Sequence, residues 1–126
     1  MSIVQHRFIQ NRDDFFRVLA EELVRAQRFE AEVPGLPLFS SLRRQLEAIT
    51  QWTADGRQPT KDERRSIQMG PLIVRELNPA PTDELEDFGS RIQELEFYLK
   101  HWRDDAGWQS LDDGDYEIFF PDDHAP

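Results

Sequence analysis

The chain has 126 residues, 38% of them apolar and 11% aromatic, which is enough for one domain with its own core and too little for two. It has no cysteine, which excludes disulfide frameworks, thiolate nucleophiles and cysteine-ligated metals; no apolar run approaches the ~20 residues of a membrane span. Its formal charge of −10 is unevenly spread, with twelve Lys/Arg against eleven Asp/Glu in residues 1–78 and three against fourteen in residues 79–126, so nucleic acid and anionic membrane are excluded as partners of the second half.

Met1 to Arg7 lacks the apolar stretch of a signal peptide, and the expected address is the cytoplasm. The first helix is predicted from about Asp13 to Glu32. Asn11 is its N-cap, and Asp13 and Asp14 suit the positive end of the helix dipole. Phe15, Leu19, Leu23 and Ala26 form its apolar face, which Phe16, Val18 and Val24 are expected to widen. Val33-Pro34-Gly35-Leu36-Pro37 breaks it. A second helix follows from about Leu38 to Ala54, with Phe39, Leu42, Leu46, Ile49 and Trp52 at steps of three and four and Asp55-Gly56 closing it.

Thr60-Lys61-Asp62-Glu63 is a capping box that opens the third helix. Ile67, Met69, Leu72, Ile73 and Leu77 are its apolar positions. Gly70-Pro71 interrupts them, because proline inside a helix removes a hydrogen bond and clashes one turn back. The expectation there is a kink, or a break with Pro71 starting a new segment. After the linker Asn78-Pro79-Ala80-Pro81, Thr82 caps a fourth helix. Its stripe Leu85, Phe88, Ile92, Leu95, Leu99, Trp102 is the strongest periodic signal in the chain, and Gly107 is expected to end it. The stripe is assigned to the core, with a homodimer seam as its other use. The fold class is therefore all-α: an antiparallel bundle of about four helices, with a core over about 12–107 and an acidic, aromatic extension over 108–126. In that extension Asp112-Asp113-Gly114-Asp115 signals a turn, and Tyr116-Glu117-Ile118-Phe119-Phe120 reads as a short extended segment.

No catalytic constellation emerges. The acidic turn lacks the register of a calcium loop. His6, His101 and His124 have no ligand spacing and are assigned to the surface. Glu94 and Glu96 do not face each other on a helix and are assigned to a solvated face. Arg43, Arg44, Arg57, Lys61, Arg64, Arg65 and Arg75 lie among acids, with no glycine-rich loop beside them, and ion pairs across the bundle are their expected use. The expectation is a protein that is not an enzyme and takes no cofactor or metal.

What remains is the extension. An acidic surface steers and holds a basic partner, and aromatic residues such as Trp108, Tyr116, Phe119 and Phe120 among the acids suit interface anchors. Candidate partner-binding residues are Asp112, Asp113, Asp115, Tyr116, Glu117, Phe119 and Phe120. The acidic start of the fourth helix, Asp83, Glu84, Glu86 and Asp87, is the second candidate.

The stretch Leu42-Arg43-Arg44-Gln45-Leu46-Glu47-Ala48-Ile49, then Thr60 to Ile67, then Met69-Gly70-Pro71-Leu72-Ile73-Val74-Arg75-Glu76-Leu77, followed by Asp83-Glu84-Leu85, resembles a family of small helical bacterial immunity proteins. The best-known member of that family neutralises a type VI secretion effector that destroys NAD(P)+. The resemblance covers roughly residues 34–100. It implies that Leu46, Ile49, Gly70, Val74 and Leu77 are core or close-packing positions. It also implies an antitoxin role in interbacterial competition: blocking the catalytic domain of a cognate toxin, whose cleft is expected to be basic. A non-enzymatic adaptor or chaperone-like module of a secretion system is the alternative.

Overall fold

Asn11 starts the first helix as expected: its side chain accepts from the Asp14 amide. The computed structural model describes residues 7–111, which form helices α1 (Arg12–Glu32), α2 (Pro37–Trp52), α3 (Lys61–Ser66), α4 (Gly70–Glu76), α5 (Asp83–His101) and α6 (Asp105–Gln109), with a 3-10 turn at Ala54–Gly56. No strand occurs among the described residues. Helix α1 packs on α2 and on α5, and α3 and α4 pack on α5.

The direction of each pairing follows from its contacts. Phe29 near the end of α1 meets Phe39 at the start of α2, their ring centroids 5.1 Å apart. Arg12 at the start of α1 reaches Tyr98 near the end of α5, and Arg25 reaches Asp87 near the start of α5. Both pairings are therefore antiparallel. The core has an aromatic cluster at each end. One holds Phe29, Phe39 and Phe88. The other holds Phe15, Tyr98, Trp102 and Trp108.

The periodic stripes face the core, with Leu23, Trp52, Leu85 and Trp102 only partly buried at its margin. Phe15, Leu19 and Ala26 on α1, Phe39, Leu42, Leu46 and Ile49 on α2, and Phe88, Ile92, Leu95 and Leu99 on α5 are all in the core. Phe16 and Val24 are not. They do not widen the buried face, as Val18 does, but stand exposed on the outer side of α1, Val24 at 63%. Val74 is likewise exposed at 55%. On the short α4, Ile73 and Leu77 turn inward and leave position 74 outside, so Val74 is not the core position that the resemblance implies.

The third predicted helix is divided. The capping box at Thr60 forms with both of its hydrogen bonds, but α3 ends at Ser66. Ile67 is extended (φ −78°, ψ 132°), and α4 begins at Gly70 with Pro71 in its first turn. There the missing amide of a proline costs nothing. The fourth predicted helix is shorter than expected: it stops at His101, and Trp102 takes a left-handed conformation (φ 38°). Gly107 does not end that helix but lies inside α6. A Cβ at Gly107 would stand 3.1 Å from the Asp104 carboxylate oxygen that caps α6. The glycine is thus used for close approach rather than for a helix stop.

The core also runs past both expected ends. Ile9 and Trp108 are fully buried, and the Trp108 indole donates to the Ile9 carbonyl at 2.8 Å. Trp108 is therefore a core residue and not a partner-facing aromatic of the extension.

Candidate functional site

The acidic start of α5 grows from its cap. The Thr82 side chain accepts from the Leu85 amide, and Asp83, Glu84 and Glu86 occupy the first turn, where the helix dipole favours negative charge. Glu84 and Asp87 lie on the side that meets α1, where Arg25 and Arg28 stand three residues apart. Arg25 bonds Asp87 and Glu22, each at 2.8 Å, with Glu84 at 3.8 Å. Arg28 pairs with Glu84 and with Glu32. Arg91 joins Asp87 at 2.9 Å and Glu21 at 3.9 Å.

Burial alone would raise the Asp87 carboxyl; hydrogen bonds from Arg25 and Arg91 outweigh it and hold Asp87 below its usual range. Glu22 behaves in the opposite way. Its burial outweighs the attraction of Arg25, and its pKa is pushed up. Two of the four second-rank candidates, Glu84 and Asp87, are thus spent on fastening α1 to α5. Asp83 and Glu86 are exposed and form no ion pair among the described residues. The first-rank candidates Asp112, Asp113, Asp115, Tyr116, Glu117, Phe119 and Phe120 lie outside the described residues, as do His6 and His124.

Two carboxylates assigned to a solvated face serve the interior instead. Glu94 is 6% exposed, and one of its oxygens accepts from the amides of Phe8 (3.1 Å) and Ile9 (2.8 Å). Glu96 accepts from Met69 (2.6 Å) and Gly70 (2.8 Å) and pairs with Lys100 at 3.5 Å. They point to different sides of α5, as their spacing requires, and each binds backbone that no helix satisfies. Position 94 could have been found from the sequence. Phe97 and Tyr98, at i+3 and i+4, extend the apolar arc of α5 over it. The partners of Glu94 and Glu96 are far away in the chain and gave no local signal.

His101 is half-buried rather than fully exposed. Its ring lies 4.2 Å from that of Phe97 and its Nδ1 is 3.2 Å from the Phe97 carbonyl oxygen. Burial lowers its pKa, and the neighbouring Arg103 and Arg64 lower it further. Among the basic residues of α2 to α4, Arg43 pairs with Glu30 and Glu47, Arg57 with Glu63 and Arg75 with Glu76.

One apolar groove of about 580 Å³ opens between the outer side of α1 and the end of α2. Phe16, Leu19, Leu23 and Val24 line it from α1, and Thr50 and Thr53 from α2. Asp55 and Gly56, both at positive φ, form its end wall. The single titratable group there, Asp55, has no base or nucleophile beside it, so the groove offers apolar contact and no acid–base chemistry. No cluster of three or more His, Asp or Glu that could hold a metal occurs among the described residues, and no helix there is long and apolar enough to cross a membrane.

The described residues therefore define an all-α fold in which arginines of α1, α2 and α5 tie neighbouring helices together through Glu21, Glu30, Glu84 and Asp87. Compared with known proteins, the chain matches no family model, no curated protein and no solved structure.

Proposed function

We propose that the chain is an immunity protein: a non-enzymatic antitoxin that binds the catalytic domain of a cognate secreted toxin and blocks its basic cleft. The observation that carries this reading is the division of labour among the acids. Among the described residues those facing α1 are matched by arginines, whereas Asp83 and Glu86 project without ion pairs, and six further acids follow Leu111 in the sequence. Such an excess of carboxylate suits a cleft that binds anionic substrates, such as NAD(P)+ or another nucleotide. The resemblance adds to it, and Leu46, Ile49 and Leu77 are buried as members of that family would need.

In this reading Asp112, Asp113, Asp115 and Glu117 pair with the toxin's cations, Tyr116, Phe119 and Phe120 are the anchors, and Asp83 and Glu86 form a second contact. The test is co-expression with the product of the neighbouring gene, followed by binding measurements on the purified pair. Deleting residues 112–126 is expected to weaken binding at least ~10-fold, or ~1.4 kcal/mol, with the thermal midpoint nearly unchanged. Full toxin neutralisation by the shortened chain would remove the extension from the inhibitory surface.

A further inference from the structure

The apolar groove beside α1 is built at helical spacing and is charged at one end. Phe16, Ala20 and Val24 stand one turn apart along its α1 wall, over about 12 Å of the helix. Phe16 and Val24 are 39% and 63% exposed, and the small Ala20 between them lets another backbone approach closely. The α2 wall is apolar in effect as well. The Thr50 hydroxyl donates to the Leu46 carbonyl at 2.9 Å and the Thr53 hydroxyl to the Ile49 carbonyl at 2.8 Å, so both hydroxyls are spent on their own helix.

Asp55 lines the end of the groove. Asp13 stands one turn before Phe16 and so shares its face of α1. Phe29 on α1 lies against Phe39 on α2. The two helices are antiparallel, so this register brings Phe16 level with Trp52 and Asp13 level with the turn that holds Asp55. Both carboxylates are exposed, and among the described residues no hydrogen bond or ion pair engages either side chain. The cations beside them in the sequence are taken. Arg12 bonds the Tyr98 hydroxyl and the Arg103 carbonyl on the α5 side, Arg17 pairs with Asp14 and Glu21, and Arg57 with Glu63. The groove is thus an apolar slot with two unmatched carboxylates at one end.

We infer that this groove receives a helix of a partner protein, whose apolar face lies along Phe16, Ala20 and Val24 and whose end sets a lysine or arginine against Asp13 and Asp55. Shape and charge both select this occupant. The slot lies between two antiparallel helices, and a third helix fits it by the packing that already joins α1 to α2. An extended peptide would find no strand to pair with among the described residues. Walls this exposed enclose a small molecule poorly. A second copy is opposed by charge, since each chain carries −10 and copies repel. The groove begins at the opposite end of α1 from Asp83 and Glu86, so the inference does not rest on the antitoxin reading.

The probes are synthetic helical peptides with a leucine stripe at steps of three and four, alanine and glutamine elsewhere, and two lysines in the first or the last turn. Matched peptides carry glutamates in place of the lysines. Binding to the full chain is read from the anisotropy of a dye on the peptide. At low salt a lysine peptide is expected to bind at least ~5-fold more tightly than its glutamate counterpart. D13N/D55N should remove that preference and keep the turn, because asparagine tolerates the left-handed conformation of residue 55. F16Q/V24Q should weaken binding at least ~10-fold through lost apolar contact. V33Q/V74Q, which changes two exposed apolar residues away from the groove, should leave it unchanged; thermal midpoints check that all variants fold. Failure of both lysine peptides to bind, equal binding of lysine and glutamate peptides, or equal losses in the two glutamine variants would overturn the proposal. So would self-association of the chain that F16Q/V24Q abolishes, which would assign the groove to a second copy. Binding of octylammonium without binding of the peptides would overturn it too, and make the groove a small-ligand site. No toxin enters these measurements, so their outcome is separate from that of the co-expression experiment.

Discussion

Glu94 carries more structure than its single charge suggests. It bonds two amides of the segment that leads into α1, and removing it strands both donors in a site closed by Ile9 and Trp108. An unmet buried hydrogen-bonding group costs ~1–3 kcal/mol. Glu94→Ala is therefore expected to destabilise by about 2 kcal/mol or more, whereas Glu86→Ala, on the exposed side of the same helix, should stay within ~0.5 kcal/mol. Leu95 lies between these two kinds of position in chemistry but fully in the core, and Leu95→Ala should cost ~2–5 kcal/mol. Urea titrations of the three variants check this order. A Glu94 variant as stable as the Glu86 variant would mean that water replaces the carboxylate. The stripe containing Leu95 was legible because its partners recur every three or four residues. The task of Glu94 was not, since its partners lie 85 and 86 residues away.

At the scale of elements, the contact between α4 and α5 is the tightest among the described glycines. A Cβ at Gly89 would stand 3.0 Å from Ile73 Cγ2, a branched side chain at the buried face of a short helix. Gly89→Ala would gain ~1 kcal/mol of helix propensity in isolation. The overpacking penalty of ~1–3 kcal/mol outweighs this, so a net loss of stability is expected, and Ile73→Leu, which lacks that γ-methyl, should recover part of it. Thermal unfolding of the single and double variants tests the coupling; equal losses in both would show that Ile73 is not the obstacle. The break before α4 belongs to this scale too. Pro71 marked a discontinuity in the sequence. Helix α4 restarts at Gly70, after three intervening residues, where Glu96 holds the amides of Met69 and Gly70.

At the scale of the whole molecule, the pH response is a balance of opposed groups. Burial lowers the His101 pKa below its usual 6.5. Its folded form favours the neutral ring, so its contribution to stability is full above about pH 6.5 and is lost as pH falls through the lowered value. Glu22, with its pKa raised by burial, has the reverse sign: its folded form favours the protonated acid, and its contribution fades as pH rises. Between pH 6.5 and 5 the thermal midpoint of the parent chain should fall relative to that of His101→Gln, and the gap should close above pH 7. A constant difference across this range would mean that the ring is freely solvated. The sequence by itself determined the helical class, the caps at Asn11, Thr60 and Thr82, and the buried stripes, because these depend on neighbours three or four residues apart. Only the tertiary structure decided that Trp108 closes the core, that Glu94 and Glu96 bind backbone, and that Glu84 and Asp87 face arginines on α1. Each of those pairings joins residues distant in the chain, and local periodicity carries no record of which distant group will arrive.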